Sequence, residues 1–329
     1  MNKFRIFLLS ILFTMFLVTA CEKDEEIVNE SEVLVEYLES TNSPLMKDYV
    51  NTDMPSIMSA TDLKTLNATG EVYIIDIRGA ADFTIGHIPN AHNVALADVL
   101  THIESVDLTS YAKVAVVCYS GQTAGFATAV LRLMGYDKAY SLKWGMCSWN
   151  ADFATGWKIA VAAGNTYATQ FTSTATAKGA KGELPVLSTG FKTGQDILEA
   201  RAQAVLTEGY DPAKISNTVV FDNLDDYYIV NYWPETHYTD PGHIPGAIQY
   251  TPQETIKLDV DLKTLPTDKT IVVYCYTGQT SSFMTAYLRM LGYDAKSLLY
   301  GANGMIYDIM VTKEMTTFSD VQIMGYEVE

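Results

Sequence analysis

Cysteine is scarce in this sequence, with four residues among 329. A chain of this length with so few cysteines has no disulfide framework, and it is long enough for two domains that each bury a core without staples. If Cys21 belongs to an export signal, the remaining thiols are Cys118, Cys147 and Cys275. Because that number is odd, at least one thiol is free or paired between chains.

Basic residues are also few, with 22 Lys and Arg against 39 Asp and Glu and a formal net charge of −17. Phosphate binding requires clustered Lys and Arg, so the composition argues against a nucleic-acid partner. The acidity is interpreted as a solubility feature rather than as a site for a cationic partner. The five histidines offer no spacing typical of a metal site. His87 and His243 follow glycines in turns and are interpreted as structural hydrogen-bonding groups. No metal or organic cofactor is implied.

The N-terminal apolar run at residues 6–18 is too short to span a bilayer comfortably. It leads into Leu17-Val-Thr-Ala-Cys21, which resembles the lipobox of bacterial lipoproteins, whose cysteine is lipidated after cleavage. The resemblance implies a signal peptide at residues 1–20, lipidation of Cys21 and a charged tether at residues 21–31. It also implies anchoring to the outer membrane of the bacterial cell envelope, at the periplasmic face or the cell surface. An ordinary signal peptide with an incidental cysteine is the alternative.

One short loop occurs twice. Residues 118–125 read CYSGQTAG and residues 275–282 read CYTGQTSS, 157 positions later. Each loop follows an apolar run typical of a buried strand and precedes an amphipathic segment with helical spacing. A Gly-His-Ile-Pro turn precedes each loop, at residues 86–89 and 242–245. The constant offset through several elements indicates that one domain has been duplicated.

The predicted fold class is α/β, with two domains that each contain a mostly parallel sheet flanked by helices on both faces. Strands that are apolar at every position favour a covered parallel sheet, and helices alternate with them. The predicted domains span residues 32–163 and 185–329, joined by a linker at residues 164–184 that is rich in Thr, Ala and Gly. A helix at residues 195–207 is assigned to the second domain, as the counterpart of residues 32–40.

A cysteine at the carboxyl end of a buried strand, just before a helix, is placed to be a thiolate. Backbone N–H groups of such a loop point inward, and the helix dipole favours negative charge on the sulfur. We therefore expect a lowered pKa and a nucleophilic sulfur at Cys118 and Cys275. The predicted anion-binding loops consist of Tyr119, Ser120, Gly121, Gln122, Thr123 and Ala124 in the first copy, and of Tyr276, Thr277, Gly278, Gln279, Thr280 and Ser281 in the second.

The upstream motifs are Asp76-Ile-Arg78 with Gly86-His-Ile-Pro-Asn-Ala91 in the first copy, and Gly242-His-Ile-Pro-Gly-Ala247 in the second. Together with the cysteine loops, they resemble the rhodanese (thiosulfate sulfurtransferase) family over about residues 55–150 and 212–305. The resemblance implies two domains of the α/β fold and a sulfurtransferase. Such an enzyme moves sulfane sulfur from thiosulfate or a persulfide to a thiol or cyanide-like acceptor. The sulfur would travel as a persulfide on Cys118 or Cys275.

Two departures from the family pattern bear on the site. Thr123 and Thr280 stand where many family members carry Arg, so a neutral or thiol-bound persulfide becomes a more plausible donor than anionic thiosulfate. Asp76 and Arg78, interpreted as a supporting pair, are replaced by Asn231 and Trp233 in the second copy. The first site is therefore slightly favoured.

Other readings of the same residues remain. A phosphatase of this fold needs Arg six residues after the cysteine, where the chain has Ala124 and Ser281. A non-catalytic binding or sulfur-carrier module at the cell envelope is the main alternative to the enzyme. Cys147 is interpreted as a small buried core residue rather than a thiol that resolves a persulfide. The sequence leaves open whether the two sites relay sulfur, and it names no protein partner.

Overall fold

The computed structural model describes residues 29–329. The predicted signal peptide, the lipidation site at Cys21 and the tether up to residue 28 lie outside the described residues. Within residues 29–329, no helix combines the length and apolar character that a bilayer crossing requires.

The strands follow one order in each half of the described chain, with helices between them. In the first half the order is α1 (Glu30–Glu39), β1 (Ile57–Met58), α2 (Ala60–Thr69), β2 (Val72–Asp76), α3 (Ala80–Ile85), β3 (Ala91–Asn93), α4 (Val99–Glu104), β4 (Lys113–Val117), α5 (Gln122–Leu133), β5 (Ala139–Leu142), α6 (Met146–Trp149) and α7 (Thr155–Ala162). In the second half it is α8 (Gly194–Glu208), β6 (Lys214–Ile215), α9 (Asn217–Asp222), β7 (Tyr228–Asn231), α10 (Glu235–Thr239), β8 (Ile248–Gln249), β9 (Ile271–Tyr274), α11 (Gln279–Met290), β10 (Ala295–Leu298) and α12 (Tyr307–Thr312).

Two parallel five-stranded sheets result, with the orders β1-β5-β4-β2-β3 and β6-β10-β9-β7-β8. The strand that precedes each cysteine loop, β4 or β9, is the middle strand of its sheet. Successive residues of β4 pack into different core clusters, Val114 and Val116 on one face and Ala115 and Val117 on the other. The predicted α/β class with helices covering parallel sheets is therefore confirmed.

Helix α1 packs against the second copy. The Ser31 hydroxyl donates to the carbonyl of Leu291 at 2.8 Å, and the Glu39 carboxylate accepts a hydrogen bond from the N–H of Leu258 at 2.9 Å. Helix α1 also packs along α8, and α8 reaches the first copy through Gln203, whose side chain donates to the Ala97 carbonyl. Helices α1 and α8, predicted as counterparts, thus lie together between the two sheets rather than each on its own domain.

Two more segments cross between the copies. Residues 164–184, predicted as a linker, lie along the second copy, where Thr172 pairs with His243 and the N–H of Gly182 donates to the Lys263 carbonyl. Residues 318–329, which the sequence assigned to the second domain, lie on the first. There Phe318 packs against Trp144 and Trp157, and the backbone of Glu329 pairs with that of His87. Segments at the ends of the predicted domains therefore contact the opposite copy.

The carboxyl group of Glu39 joins α1 to the second copy in acidic surroundings. Burial, together with Asp48 and Asp259, raises the pKa of Glu39 to about 7, although the Leu258 N–H and Lys257 act in the opposite direction. A carboxyl whose pKa is higher in the folded than in the unfolded state binds its proton more tightly when folded. Its contribution to stability is therefore full at acidic pH and is lost as the pH rises from about 4.5 to about 7.

We predict that Glu39→Gln raises the melting temperature at pH 8 by about 2 °C and has less effect at pH 5, since an amide carries no charge into this site. The effect is modest because the side chain is only partly buried. Thermal unfolding at both pH values measures it, with Glu36→Gln on the exposed face of α1 as the control. Equal shifts at the two pH values would contradict the assignment.

Candidate functional site

The two cysteines lie where the middle strands of the sheets end. Strand β4 ends at Val117 and β9 at Tyr274, and α5 and α11 begin four residues after Cys118 and Cys275, at Gln122 and Gln279. This is the carboxyl edge of a parallel sheet, the usual position of ligand sites in open α/β folds. The predicted placement of both cysteines between a buried strand and a helix start is what the structure shows.

Each loop turns through a glycine in the left-handed region. Gly121 has φ +85° and Gly278 has φ +77°, which L side chains rarely adopt. Space is also short, because a Cβ on Gly121 would lie 2.9 Å from the carbonyl oxygen of Leu142, and one on Gly278 would lie 2.9 Å from the backbone nitrogen of Tyr300. Both constraints require glycine, and the tight turn directs the following N–H groups toward the sulfur.

Backbone N–H groups donate hydrogen bonds to both sulfurs. The Sγ of Cys118 accepts hydrogen bonds from the N–H of Gly121 at 3.2 Å and of Ala124 at 3.3 Å. The Sγ of Cys275 accepts one from the N–H of Ser281 at 3.3 Å, and the Ser281 hydroxyl lies 3.6 Å from the same sulfur. Two backbone N–H groups thus contact the first sulfur, and one backbone N–H contacts the second.

Both sulfurs are nevertheless buried, with Cys118 5% and Cys275 2% exposed. Burial raises the pKa of the Cys118 thiol, because a charged sulfur loses its hydration. Hydrogen bonds from the N–H groups of Ala124, Gly121 and Ser120 oppose this effect, and the nearby Asp76 carboxylate adds to it. The expected lowering of the Cys118 pKa is therefore wrong for this conformation, since desolvation outweighs the amide donors.

The glutamines of the two loops are exchanged, in that each side chain hydrogen-bonds to backbone groups of the other copy. The side chain of Gln279 accepts from the N–H of Trp144 at 3.0 Å and donates to the carbonyls of Gly121 and Leu142, each at 3.3 Å. In the opposite direction, the Gln122 side chain accepts from the N–H of Tyr300 at 2.8 Å. Both glutamines, predicted to line their own anion site, are 1% exposed and connect the two loops instead.

The side chains of the other residues of the first loop contact groups around the site. Tyr119 is 41% exposed, and the Arg78 guanidinium lies 5.2 Å from the centre of its ring. The Ser120 carbonyl accepts from the Trp157 indole at 3.0 Å, which holds α7 against the loop. Thr123 lies half-buried in the first turn of α5. None of these side chains brings a positive charge to the sulfur.

In the second loop, the Thr277 hydroxyl accepts from the N–H of Gln279 at 3.2 Å and so caps the start of α11. Tyr276 packs against Trp233, and its hydroxyl is hydrogen-bonded to Nδ1 of His237. Thr280 is half-buried, like its counterpart in the first loop. The aromatic group of Tyr276 therefore forms part of the wall beside Cys275.

Asp76 and Arg78 form a buried ion pair near the first loop. The Arg78 guanidinium donates to the Asp76 carboxylate at 2.6 Å and to the Gly86 carbonyl at 2.8 Å, and both side chains are almost fully buried. The pair thus ties the end of β2 to the Gly-His turn. At the corresponding position of the second copy, the Asn231 side chain donates to the Tyr274 hydroxyl at 2.7 Å, a neutral replacement.

The remaining candidate residues have structural surroundings. The Cys147 thiol donates to the Phe153 carbonyl at 3.0 Å, and burial raises its pKa to about 12. His243 is buried, and its two ring nitrogens lie within hydrogen-bond distance of the carbonyls of Tyr238 and Thr174. Nδ1 of His87 lies 2.9 Å from the Phe83 carbonyl. Across the described residues, no group of three or more His, Cys, Asp and Glu is arranged to hold a metal ion.

Sequence reasoning missed the residues that receive the exchanged glutamines. Trp144 and Tyr300 both have left-handed backbones, with φ 64° and 61°, and both follow the last strand of their sheet. The paired strand sequences Ala-Tyr-Ser-Leu142 and Ala-Lys-Ser-Leu298 carry a usable signal for these positions, because the repeat aligns Trp144 with Tyr300.

We predict that Gln279→Ala lowers the free energy of unfolding by about 1–3 kcal/mol, because it leaves the buried N–H of Trp144 without a partner. The melting temperature should fall by several degrees. Gln170→Ala, at an exposed glutamine, is the matched control and should leave it unchanged. Denaturant unfolding of the three proteins gives the comparison, and equal stability of wild type and Gln279→Ala would contradict the exchange.

Comparison with known proteins agrees with this geometry. The sequence model of the Rhodanese-like domain family matches the chain twice, at residues 59–152 and 217–305. The thiosulfate sulfurtransferase GlpE of Ectopseudomonas mendocina is 34% identical over 99 residues, which cover 29% of this chain and 85% of that protein. The adenylyltransferase and sulfurtransferase uba4 of Ogataea parapolymorpha is 26% identical over 88 residues, 27% of this chain, so the chain spans 22% of that relative's length.

A solved structure of a thiosulfate sulfurtransferase from Pseudomonas aeruginosa aligns with 88% of this chain and 48% of its own, at 16% identity and a TM-score of 0.30. The assignment rests on the two matches to the family model, which together cover more than half of the sequence. The chain belongs to the rhodanese family and carries two rhodanese-like domains in tandem.

Proposed function

We propose that this protein is a sulfurtransferase that moves sulfane sulfur through a cysteine persulfide. The observation that carries the proposal is the convergence of the N–H groups of Gly121 and Ala124 on the sulfur of Cys118, and of Ser281 on that of Cys275. Sulfurtransferases among the relatives of this chain support the reaction class. An amide cradle stabilises negative charge on a thiolate and on the terminal sulfur of a persulfide.

The reaction has two steps in this proposal. The cysteine thiolate attacks the outer sulfur of the donor, a new S–S bond forms, and the donor's own bond to that sulfur breaks. The leaving group takes the electron pair, as sulfite from thiosulfate or as a thiolate from a persulfide. A thiol or cyanide-like acceptor then attacks the terminal sulfur of the enzyme persulfide, which regenerates the cysteine thiolate.

The charge distribution favours one class of donor. The loops carry no charged side chain, and the guanidinium of Arg78 is paired with Asp76. A dianion such as thiosulfate therefore meets only amide and hydroxyl donors, whereas a thiol-bound persulfide brings less charge into the buried site. We propose a persulfide as the donor and a thiol as the acceptor.

The burial of both sulfurs supports a second candidate function. Thiols that are 5% and 2% exposed leave little room for a donor to approach in this conformation. A non-catalytic binding or sulfur-carrier module would need no rapid access to them. This candidate predicts binding of a partner without turnover.

We expect the intact mass of the protein to increase by one sulfur atom for each reactive cysteine after treatment with a small-molecule persulfide, and to return after addition of a thiol. Serine variants of Cys118 and Cys275, singly and together, assign the site, because serine cannot form a persulfide. Cys147→Ser is the control and should show the same gain in mass as the wild type, since the Cys147 thiol donates its hydrogen to the buried Phe153 carbonyl. The absence of any gain with persulfide or thiosulfate would favour a non-catalytic binding module that carries no sulfur.

We further propose that Cys21 is lipidated and anchors the protein to the outer membrane of a bacterial cell envelope, on either face. The basis is the lipobox-like sequence Leu17-Val-Thr-Ala-Cys21 and the charged residues that follow it. We expect Cys21→Ser to move the protein from the membrane fraction to the soluble fraction. Fractionation after cell lysis measures this, and unchanged membrane association of the variant would refute the anchor.

A further inference from the structure

A chain of buried hydroxyl groups lies beneath Cys275. The Ser281 hydroxyl lies 3.6 Å from the sulfur and 2.8 Å from the hydroxyl of Ser297. The Ser282 hydroxyl lies 3.3 Å from that of Ser297 and 2.7 Å from that of Tyr210. The three serines are fully buried and Tyr210 is 6% exposed. Four hydroxyl groups in the core thus form a connected path that ends at the thiol.

The first copy lacks this path. The residues at the positions of Ser281 and Ser282 are Ala124 and Gly125, which have no hydroxyl group. Ser141 occupies the position of Ser297, and its buried hydroxyl has no hydrogen-bond partner in the described structure. The repeated strand therefore retains the far serine in both copies, but the first copy has lost the hydroxyl that would connect it to the sulfur.

The path can serve both protonation states of the thiol. With the thiol protonated, it donates to the Ser281 hydroxyl, while the hydroxyls of Ser282 and Ser297 donate to the Gly278 carbonyl at 2.6 and 3.3 Å. With the thiol ionised, Ser281 turns its hydrogen toward the sulfur and accepts one from Ser297. A hydroxyl group donates once and accepts twice, so the change requires only rotation about C–O bonds.

The charged and titratable neighbours of the two cysteines also differ, and the difference likewise favours an ionised sulfur in the second copy. Cys118 faces the Asp76 carboxylate, which opposes a second negative charge, as well as Cys147, Tyr210 and Tyr300. In the second copy Asn231 replaces that aspartate. The titratable groups around Cys275 are tyrosines, held neutral because burial raises the pKa of each; His237 lies behind one of them. They are Tyr210, Tyr232 and Tyr276.

We propose that Ser281, backed by Ser297, Ser282 and Tyr210, is a positioning residue that stabilises the ionised sulfur of Cys275. The two sulfur sites are then inequivalent, because the hydroxyl path stabilises a thiolate at Cys275 and has no counterpart at Cys118. This reverses the preference for the first site that the Asp76 and Arg78 pair suggests. The inference deepens the proposed function, but it concerns thiol ionisation and does not require sulfur transfer to be observed.

The test is a pH titration of the full chain labelled with ¹³C at the cysteine Cβ, whose chemical shift reports thiol ionisation without access by a reagent. Serine variants of each cysteine assign the resonances. We expect the Cys275 midpoint to lie below that of Cys118. Ser281→Ala should raise the Cys275 midpoint by about one pH unit and leave Cys118 unchanged, because a charge-assisted hydrogen bond is lost at one site only.

The first copy offers the reciprocal variant. Ala124→Ser should place a hydroxyl between Cys118 and the unpaired hydroxyl of Ser141, and so lower the Cys118 midpoint. Ser297→Ala removes the supporting donor while Ser281 stays in place, and should raise the Cys275 midpoint by less than Ser281→Ala does. This variant also keeps the proposal testable if Ser281→Ala fails to fold.

Equal midpoints for the two cysteines in the wild type, or a Cys275 midpoint that is unaffected by both serine variants, would overturn the inference and leave the proposed function intact. Conversely, a low Cys275 midpoint in a protein that gains no sulfur from any donor would support the inference and refute the proposed function. The two failures are therefore distinguishable.

Discussion

The packing of helix α5 against α11 is the contact on which the rest of the molecule depends. The two helices begin at the cysteine loops and meet closely enough that a Cβ on Gly125 would lie 3.0 Å from the Phe283 ring. At that distance the buried backbone groups of each loop have no access to water, and they must be paired within the protein. The exchanged side chains of Gln122 and Gln279 provide the partners. One hydrophobic cluster accordingly contains residues of both sheets, so the two copies share this part of their core.

Burial acts on the electrostatics of both sulfurs. Cys118 and Cys275 are almost fully buried, and burial acts against ionisation. Amide donors and the ends of the helices act in its favour, at similar positions in both copies. The balance is then decided by the neighbours that the copies do not share, which are a carboxylate beside Cys118 and hydroxyl groups beside Cys275. A duplicated fold has thereby acquired two different thiol environments on nearly identical backbones.

Local patterns predicted the elements and the position of the site. Apolar strands and the glycines of the cysteine loops are determined by neighbouring residues, and the structure contains each of them. The exchange of glutamines and the transfer of α1 to the other copy depend on contacts between residues more than a hundred positions apart. Single-sequence patterns carry no information on such contacts. The expected fall in the Cys118 pKa failed because it counted the local amide donors and not the burial of the thiol in the folded chain.

The crossing segments change what a break in the chain would do. Helix α1, which precedes the first sheet, is bound to the second, and residues 318–329, which follow the second sheet, are bound to the first. A protease that cleaved the connecting stretch near Gly179 would therefore release no free module. Each fragment would remain bound to the other, through α1 in one direction and through residues 318–329 in the other. The duplicated halves are interlocked, and neither half retains the autonomy of the single-domain ancestor that the repeat implies.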